Sequence, residues 1–111
     1  MTLSGTLIAP AAEIGVAGDW NIGAGTFTHG NGKVTLNGTA GQTITTGGSW
    51  DEANTNNNWK NNYYTLAVSN SSPGGVTFAD GWETTNFVCT AAGATMYFRY
   101  QEIVTNVFEI T

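Results

Sequence analysis

The chain has 111 residues, enough for one all-β domain with a modest core or for a segment of a longer β protein. Charged residues make up 10% against about 25% in typical domains, and the formal net charge is −5 with only three basic residues, Lys33, Lys60 and Arg99. That balance offers no basic stripe for nucleic acid or anionic lipid, and no apolar run reaches the length of a membrane span.

Thr, Asn, Ser and Gly take the place of charge, a profile that leans toward an extracellular, cell-surface or virion setting. No charged stretch followed by an apolar one comes after Met1, so no signal peptide is visible. Met1 reads equally as a native start or as the start of a segment taken from a longer protein.

In chain order, Leu3 to Ile8 is a short apolar stretch broken by Pro10, with Ile14 and Val16 resuming it. Gly18 to Gly48 is rich in turns and predicts strands of about four to six residues, the clearest at Lys33–Leu36 and Gln42–Thr45. Ser49 to Asn62 shows neither strand alternation nor a helical stripe and predicts a long surface loop. Strands resume at Tyr63–Val68, Gly75–Phe78, Asn86–Thr90, Ala94–Phe98 and Val107–Ile110. No helix is predicted.

Two architectures compete for these strands. Val16-Ala17-Gly18-Asp19-Trp20 and Phe78-Ala79-Asp80-Gly81-Trp82 are similar phrases about sixty residues apart. That spacing suits three rungs of about twenty residues in a parallel β-solenoid. Against it, Gly30-Asn31-Gly32 between Thr26–His29 and Lys33–Leu36 is a good hairpin signal, because Asn-Gly tolerates positive φ. A hairpin there would favour an antiparallel β-sandwich or jelly roll.

Gly25 to Ile44, and Tyr64 to Ser72 followed by Gly75 to Phe78, resemble rung phrases of adhesin-like, right-handed parallel β-helix repeats. Such repeats occur in large secreted bacterial and phage surface proteins. The resemblance spans residues 16 to 98. It implies a parallel β-solenoid (β-helix) fold and a structural or adhesive role without catalysis. The Trp-rich loop and the end Tyr97-Phe98-Arg99-Tyr100-Gln101-Glu102 depart from the usual rung phrase.

The side chains that could carry chemistry are sparse. Eight scattered acids read as turn residues, although Asp51/Glu52 or Asp80/Glu83 could supply a glycosidase carboxylate pair. No basic residues back them, so no catalytic residue is assigned. His29 beside a turn reads as an exposed turn residue, and no metal site or cofactor is expected. Turn carboxylates at Asp19, Asp51 and Asp80 lack the dense pattern of a calcium loop. Cys89 reads as a small core residue. Asn37-Gly38-Thr39 and Asn70-Ser71-Ser72 are glycosylation sequons.

Two sets of residues remain as candidate sites. Trp50 and Trp59 flank Asn56 and Asn58, and together these could stack on and hydrogen-bond a glycan, or pack down as an aromatic cap. Val104, Val107, Phe108 and Ile110 make the last strand apolar on one face, with no Pro or Lys to protect its edge. Self-association by edge pairing or end stacking follows, with a second copy or a neighbouring segment of a larger protein as the partner.

Overall fold

The computed structural model describes residues 1–47, 61–99 and 102–111. Eleven strands and no helix lie among them: β1 (Thr6–Ile8), β2 (Glu13–Val16), β3 (Trp20–Asn21), β4 (Thr26–Thr28), β5 (Lys33–Leu36), β6 (Gln42–Thr45), β7 (Tyr63–Val68), β8 (Val76–Phe78), β9 (Trp82–Cys89), β10 (Met96–Phe98) and β11 (Glu102–Ile110). Every strand pairing is parallel.

The strands form three sheets, ordered β1-β4, β3-β6-β8-β10 and β2-β5-β7-β9-β11. Successive strands along the chain fall in different sheets; the four- and five-stranded sheets each take one strand per pass and the β1-β4 sheet only the first two, so the chain winds as a β-solenoid of about four turns. Met1–Leu3 adds a first short pass, with Thr2 bridged in parallel to Asn21.

The period is close to twenty residues: Thr6 pairs with Thr26, Glu13 with Lys33, Val76 with Met96 and Trp82 with Glu102. It lengthens in two places. Trp20 pairs with Ile44, twenty-four residues on, and Lys33 with Thr65, thirty-two residues on. The larger excess falls between β6 and β7, the span that holds residues 48–60.

Strand alternation explains the core. In the five-stranded sheet, Ile14, Val34, Leu66, Phe87 and Phe108 form one inward column and Val16, Leu36, Val68, Cys89 and Ile110 another. In the four-stranded sheet, Trp20, Ile44, Phe78 and Phe98 do the same. Within these columns Leu36, Leu66, Val68, Phe78 and Phe87 are fully buried, as is Tyr63 beside them. Like side chains stack from rung to rung: the ring centroids of Phe78 and Phe98 lie 5.2 Å apart and those of Phe87 and Phe108 5.3 Å apart, with ring planes nearly parallel in both pairs.

The hairpin expected at Gly30-Asn31-Gly32 does not form. Gly30 (φ 57°) and Asn31 (φ 58°) take the left-handed conformation the sequence suggested, but they turn a corner between β4 and β5. Those strands belong to different sheets, so the sandwich alternative falls away. The two similar Trp phrases are not structural equivalents. Trp20 shares its column with Phe78 through Ile44, whereas Trp82 pairs with Glu102.

Candidate functional site: the open last rung

β11 closes one side of the five-stranded sheet with nine residues, and no described strand pairs with its outer edge. A register shift between Val104 and Val107 divides it, so Val104 pairs with Thr84 and Val107 with Asn86. Beyond the shift, Phe108 and Ile110 continue the inward columns over Phe87 and Cys89. Phe87 and Cys89 are sealed, but Phe108 and Ile110 are each 57% exposed. Val107 lies on the outward face, 39% exposed, and Val104 packs partly buried against the core. The four residues expected to form an apolar edge therefore divide between the two faces of one strand, with Phe108 and Ile110 extending the core into solvent.

Beside them β10 presents Phe98, 43% exposed, at the edge of the four-stranded sheet. Trp82, Phe98, Glu102, Val104 and Phe108 line a hollow of about 400 Å³ at this end of the solenoid. Trp82 is buried in its wall, and its indole N–H finds no hydrogen-bond partner among the described residues. A buried donor without an acceptor is uncommon and costs free energy.

The backbone repeats one bond from rung to rung. Val16 C=O accepts from Asn37 N–H at 3.0 Å, Leu36 from Ser69 at 2.9 Å, Val68 from Thr90 at 3.1 Å and Cys89 from Thr111 at 3.0 Å. Ile110 C=O is the next acceptor in that series, at the edge where no described strand follows. At the opposite end the outer edge of β2 is likewise without a strand, beside a hollow of about 220 Å³ lined by Ile14, Val16 and Ala17 among others.

The long insertion leaves from two pinned stems. On one side Asp80 accepts from the backbone N–H of Thr46 at 2.8 Å and of Gly47 at 2.6 Å. On the other, Asn61 is fully buried. Its Oδ1 accepts from Phe27 N–H at 2.9 Å, and its Nδ2 donates to Thr46 O at 2.8 Å and Ile22 O at 2.9 Å. Tyr63 next to it takes a hydrogen bond from the Trp20 indole at 3.1 Å and shares one with the Thr46 hydroxyl at 2.9 Å. Burial drives the Tyr63 phenol well above its ordinary pKa, and the nearby Asp80 charge pushes the same way, with the two hydrogen bonds opposing only in part. Trp50, Asn56, Asn58 and Trp59 themselves lie outside the described residues.

Gln42 does at another corner what Asn61 does here. It donates to Val16 O at 2.8 Å and Gly18 O at 2.7 Å, and accepts from Gly38 N–H at 2.9 Å and Asn70 Nδ2 at 3.0 Å. The sequence placed Asn61 at the end of a surface loop, Asn70 in a sequon and Gln42 in a strand, but all three are buried, and their corner-closing role was not foreseen because buried amides carry no periodic signal. Asn70, first residue of a sequon, is fully buried with its Nδ2 on Ala40 O at 2.8 Å, so its side chain is not presented for glycosylation.

The acids considered as catalytic are occupied differently. Both Asp80 oxygens hold backbone amides, and Asp19 Oδ1 accepts from Thr43 N–H at 2.9 Å. Asp51 and Glu52 lie outside the described residues. Among the described residues no three His, Cys, Asp or Glu side chains converge as metal ligands would. His29 Nδ1 accepts from Asn31 N–H at 2.9 Å, and Cys89 is buried. No protein-family model matches this chain, and searches of curated proteins and of solved structures return no match.

Proposed function

We propose that this chain is a non-enzymatic structural or adhesive module of an extracellular or virion-surface β protein. On this reading its work is to extend a β-stack, and its partner is a further β-rung. The supporting observation is the last rung: a nine-residue strand with no described strand on its outer edge, whose inward residues Phe108 and Ile110 are 57% exposed over a sealed interior. Single exposed apolar residues are ordinary. A free parallel edge joined to an open core end is a template for another strand. The likeness to adhesin-type β-helix repeats fits the same role. Sedimentation velocity and light scattering from micromolar to millimolar concentration, with electron microscopy of the products, test it. Concentration-dependent oligomers are expected, and a monomer throughout the range would overturn self-assembly.

A second reading is favoured by the insertion between β6 and β7. Twelve residues beyond the period are added at one corner, both stems are held by buried or backbone-directed hydrogen bonds, and the sequence there carries Trp50, Asn56, Asn58 and Trp59. A module that displays this loop for glycan recognition should retain polysaccharide on a column. Trp50→Ala or Trp59→Ala should abolish retention, and silence of the intact chain on a broad glycan array would remove this reading.

A further inference from the structure

Resting on the self-assembly reading above, we propose that the partner of the last rung is the first rung of a second copy. β2 of one molecule adds in parallel to β11 of the next, with Ile14 over Phe108 and Val16 over Ile110. The contact is head-to-tail, so it propagates.

Three observations select this occupant. First, the side-chain columns continue without a change of character. Ile14 already heads the column Val34, Leu66, Phe87, Phe108, and Val16 heads Leu36, Val68, Cys89, Ile110. Placing Ile14 on Phe108 and Val16 on Ile110 restarts each column with an aliphatic residue on an exposed apolar one.

Second, the backbone edges are complementary. Asn37, Ser69, Thr90 and Thr111 each donate an N–H to the rung before, to Val16, Leu36, Val68 and Cys89. Ala17 occupies the corresponding place after β2, at the edge with no described strand beneath it. Ala17 N–H and Ile110 C=O are thus the donor and acceptor that the series lacks at its two ends. Edges of a parallel sheet are not equivalent, so β11 matches the outer edge of β2 and does not match itself in parallel.

Third, both sheets end in phase. Met1–Leu3 runs beside β3 through an isolated parallel bridge at Thr2, with Leu3 N–H on Asn21 O at 2.8 Å and Asn21 N–H on Met1 O at 2.9 Å. When β2 is laid on β11, Met1–Leu3 falls on β10, and Met1 reaches the Phe98 column. A thioether against an aromatic edge is a favourable contact. Tail-to-tail pairing of two β11 strands would leave the β2 edge and its hollow open on both molecules. Head-to-tail stacking covers both ends at once. Glu13 brings little repulsion with it, because Lys33 of its own molecule lies 3.3 Å away.

Two blocked variants test the polarity. Ile110→Lys places a charge on the β11 edge, and Gly15→Pro disrupts the free edge of β2. Each is checked for folding by far-UV circular dichroism and urea midpoint, then followed alone and as an equimolar mixture by sedimentation velocity. The expected result is that each variant alone weakens association by at least roughly thirtyfold, and that the mixture restores it but stops at a one-to-one dimer. If Ile110→Lys is monomeric while Gly15→Pro assembles like the unmodified chain, β11 pairs with itself. That outcome overturns this inference and leaves self-assembly standing. If both variants assemble normally, the interface lies elsewhere and the inference fails. If the unmodified chain never associates, the self-assembly reading fails with it. Should Gly15→Pro not fold, an oxidised mixture of Glu13→Cys and Val107→Cys replaces it. A disulfide-linked heterodimer is expected only for the head-to-tail register, and its absence counts against the proposal.

Discussion

Asn61→Ala removes the side chain that closes the solenoid where the long insertion rejoins it. Asn61 is fully buried and serves one backbone donor and two well-placed backbone acceptors, Phe27 N–H at 2.9 Å, Thr46 O at 2.8 Å and Ile22 O at 2.9 Å, with Gly25 O more distant at 3.4 Å. Truncation leaves the Phe27 N–H and those carbonyls inside without that partner. Each buried polar group left unmade costs about 1–3 kcal/mol, the N–H near the upper end and the carbonyls, with a second lone pair, near the lower. Ile22 O keeps the Gly25 N–H at 3.1 Å, so the sum over the Phe27 N–H and Thr46 O is about 4 kcal/mol. A water molecule entering the vacated space recovers part of it, which sets a lower bound of about 2 kcal/mol. A domain of this size has a total stability of about 5–15 kcal/mol, so the loss is a large fraction. Asn61→Asp keeps an acceptor for Phe27 but loses both donors and sets a carboxylate against carbonyl oxygens. It should be at least as damaging despite its near-identical shape. Urea unfolding followed by Trp fluorescence measures both variants, with the m-value as a control on two-state behaviour. A loss below about 1 kcal/mol for Asn61→Ala at unchanged m would refute the reasoning, because the amide would then not be closing a dry corner.

Further expectations follow from other sites. Gly30→Ala and Gly93→Ala both place a side chain at positive φ, 57° and 74°, but a Cβ on Gly30 would meet Ala9 O at 2.1 Å whereas Gly93 faces open space. Thermal unfolding should show Gly93→Ala losing about 1–2 kcal/mol, the cost of the left-handed conformation, and Gly30→Ala losing clearly more; equal losses would contradict the packing at that corner. Tyr63, held neutral by burial, should ionise well above the ordinary tyrosine value in an ultraviolet titration, and Tyr63→Phe should remove that late step. Because its folded pKa is raised above the ordinary value of about 10, its contribution to stability is whole below that pH and declines as pH rises beyond it; a Tyr63→Phe variant should lose less stability between pH 9 and 11 than the unmodified chain does. Phe87→Ala empties a fully buried site stacked at 5.4 Å on Trp82 and 5.3 Å on Phe108, and should cost about 3–5 kcal/mol by urea unfolding.

Strand positions were legible in the sequence because the period-two alternation of β-branched and aromatic residues survives in every rung. Lys33–Leu36, Gln42–Thr45 and Tyr63–Val68 stand where the alternation put them. Extents were less legible. β9 and β11 reach back to Trp82 and Glu102, across residues such as Glu83 and Thr84 whose polarity resembles a turn. Sheet assignment was the harder problem. Gly30-Asn31-Gly32 looks the same locally whether it reverses the chain or turns it through a corner, and only partners twenty or more residues away distinguish the two. The insertion masked the period by moving the partner of Lys33 out to Thr65.

The similar Trp phrases pointed to the parallel solenoid that forms, but not through equivalent tryptophans: what repeats is a carboxylate gripping backbone amides of an adjacent rung, Asp19 on Thr43 and Asp80 on Thr46 and Gly47, while the tryptophans occupy different columns. Of the candidate site, the apolar character of the last strand was readable from Val104, Val107, Phe108 and Ile110. The register shift that turns Val107 outward and keeps Phe108 and Ile110 inward was not, because it depends on the fit of β11 to β9.

The parallel stack itself is tested most directly by interstrand nuclear Overhauser contacts in the labelled protein. The account predicts contacts linking Ile14 to Val34, Val34 to Leu66 and Leu66 to Phe87, along the inward column. A ladder of antiparallel contacts spreading outward from the Gly30-Asn31-Gly32 corner, Thr28 with Lys33 and Thr26 with Thr35, would contradict it.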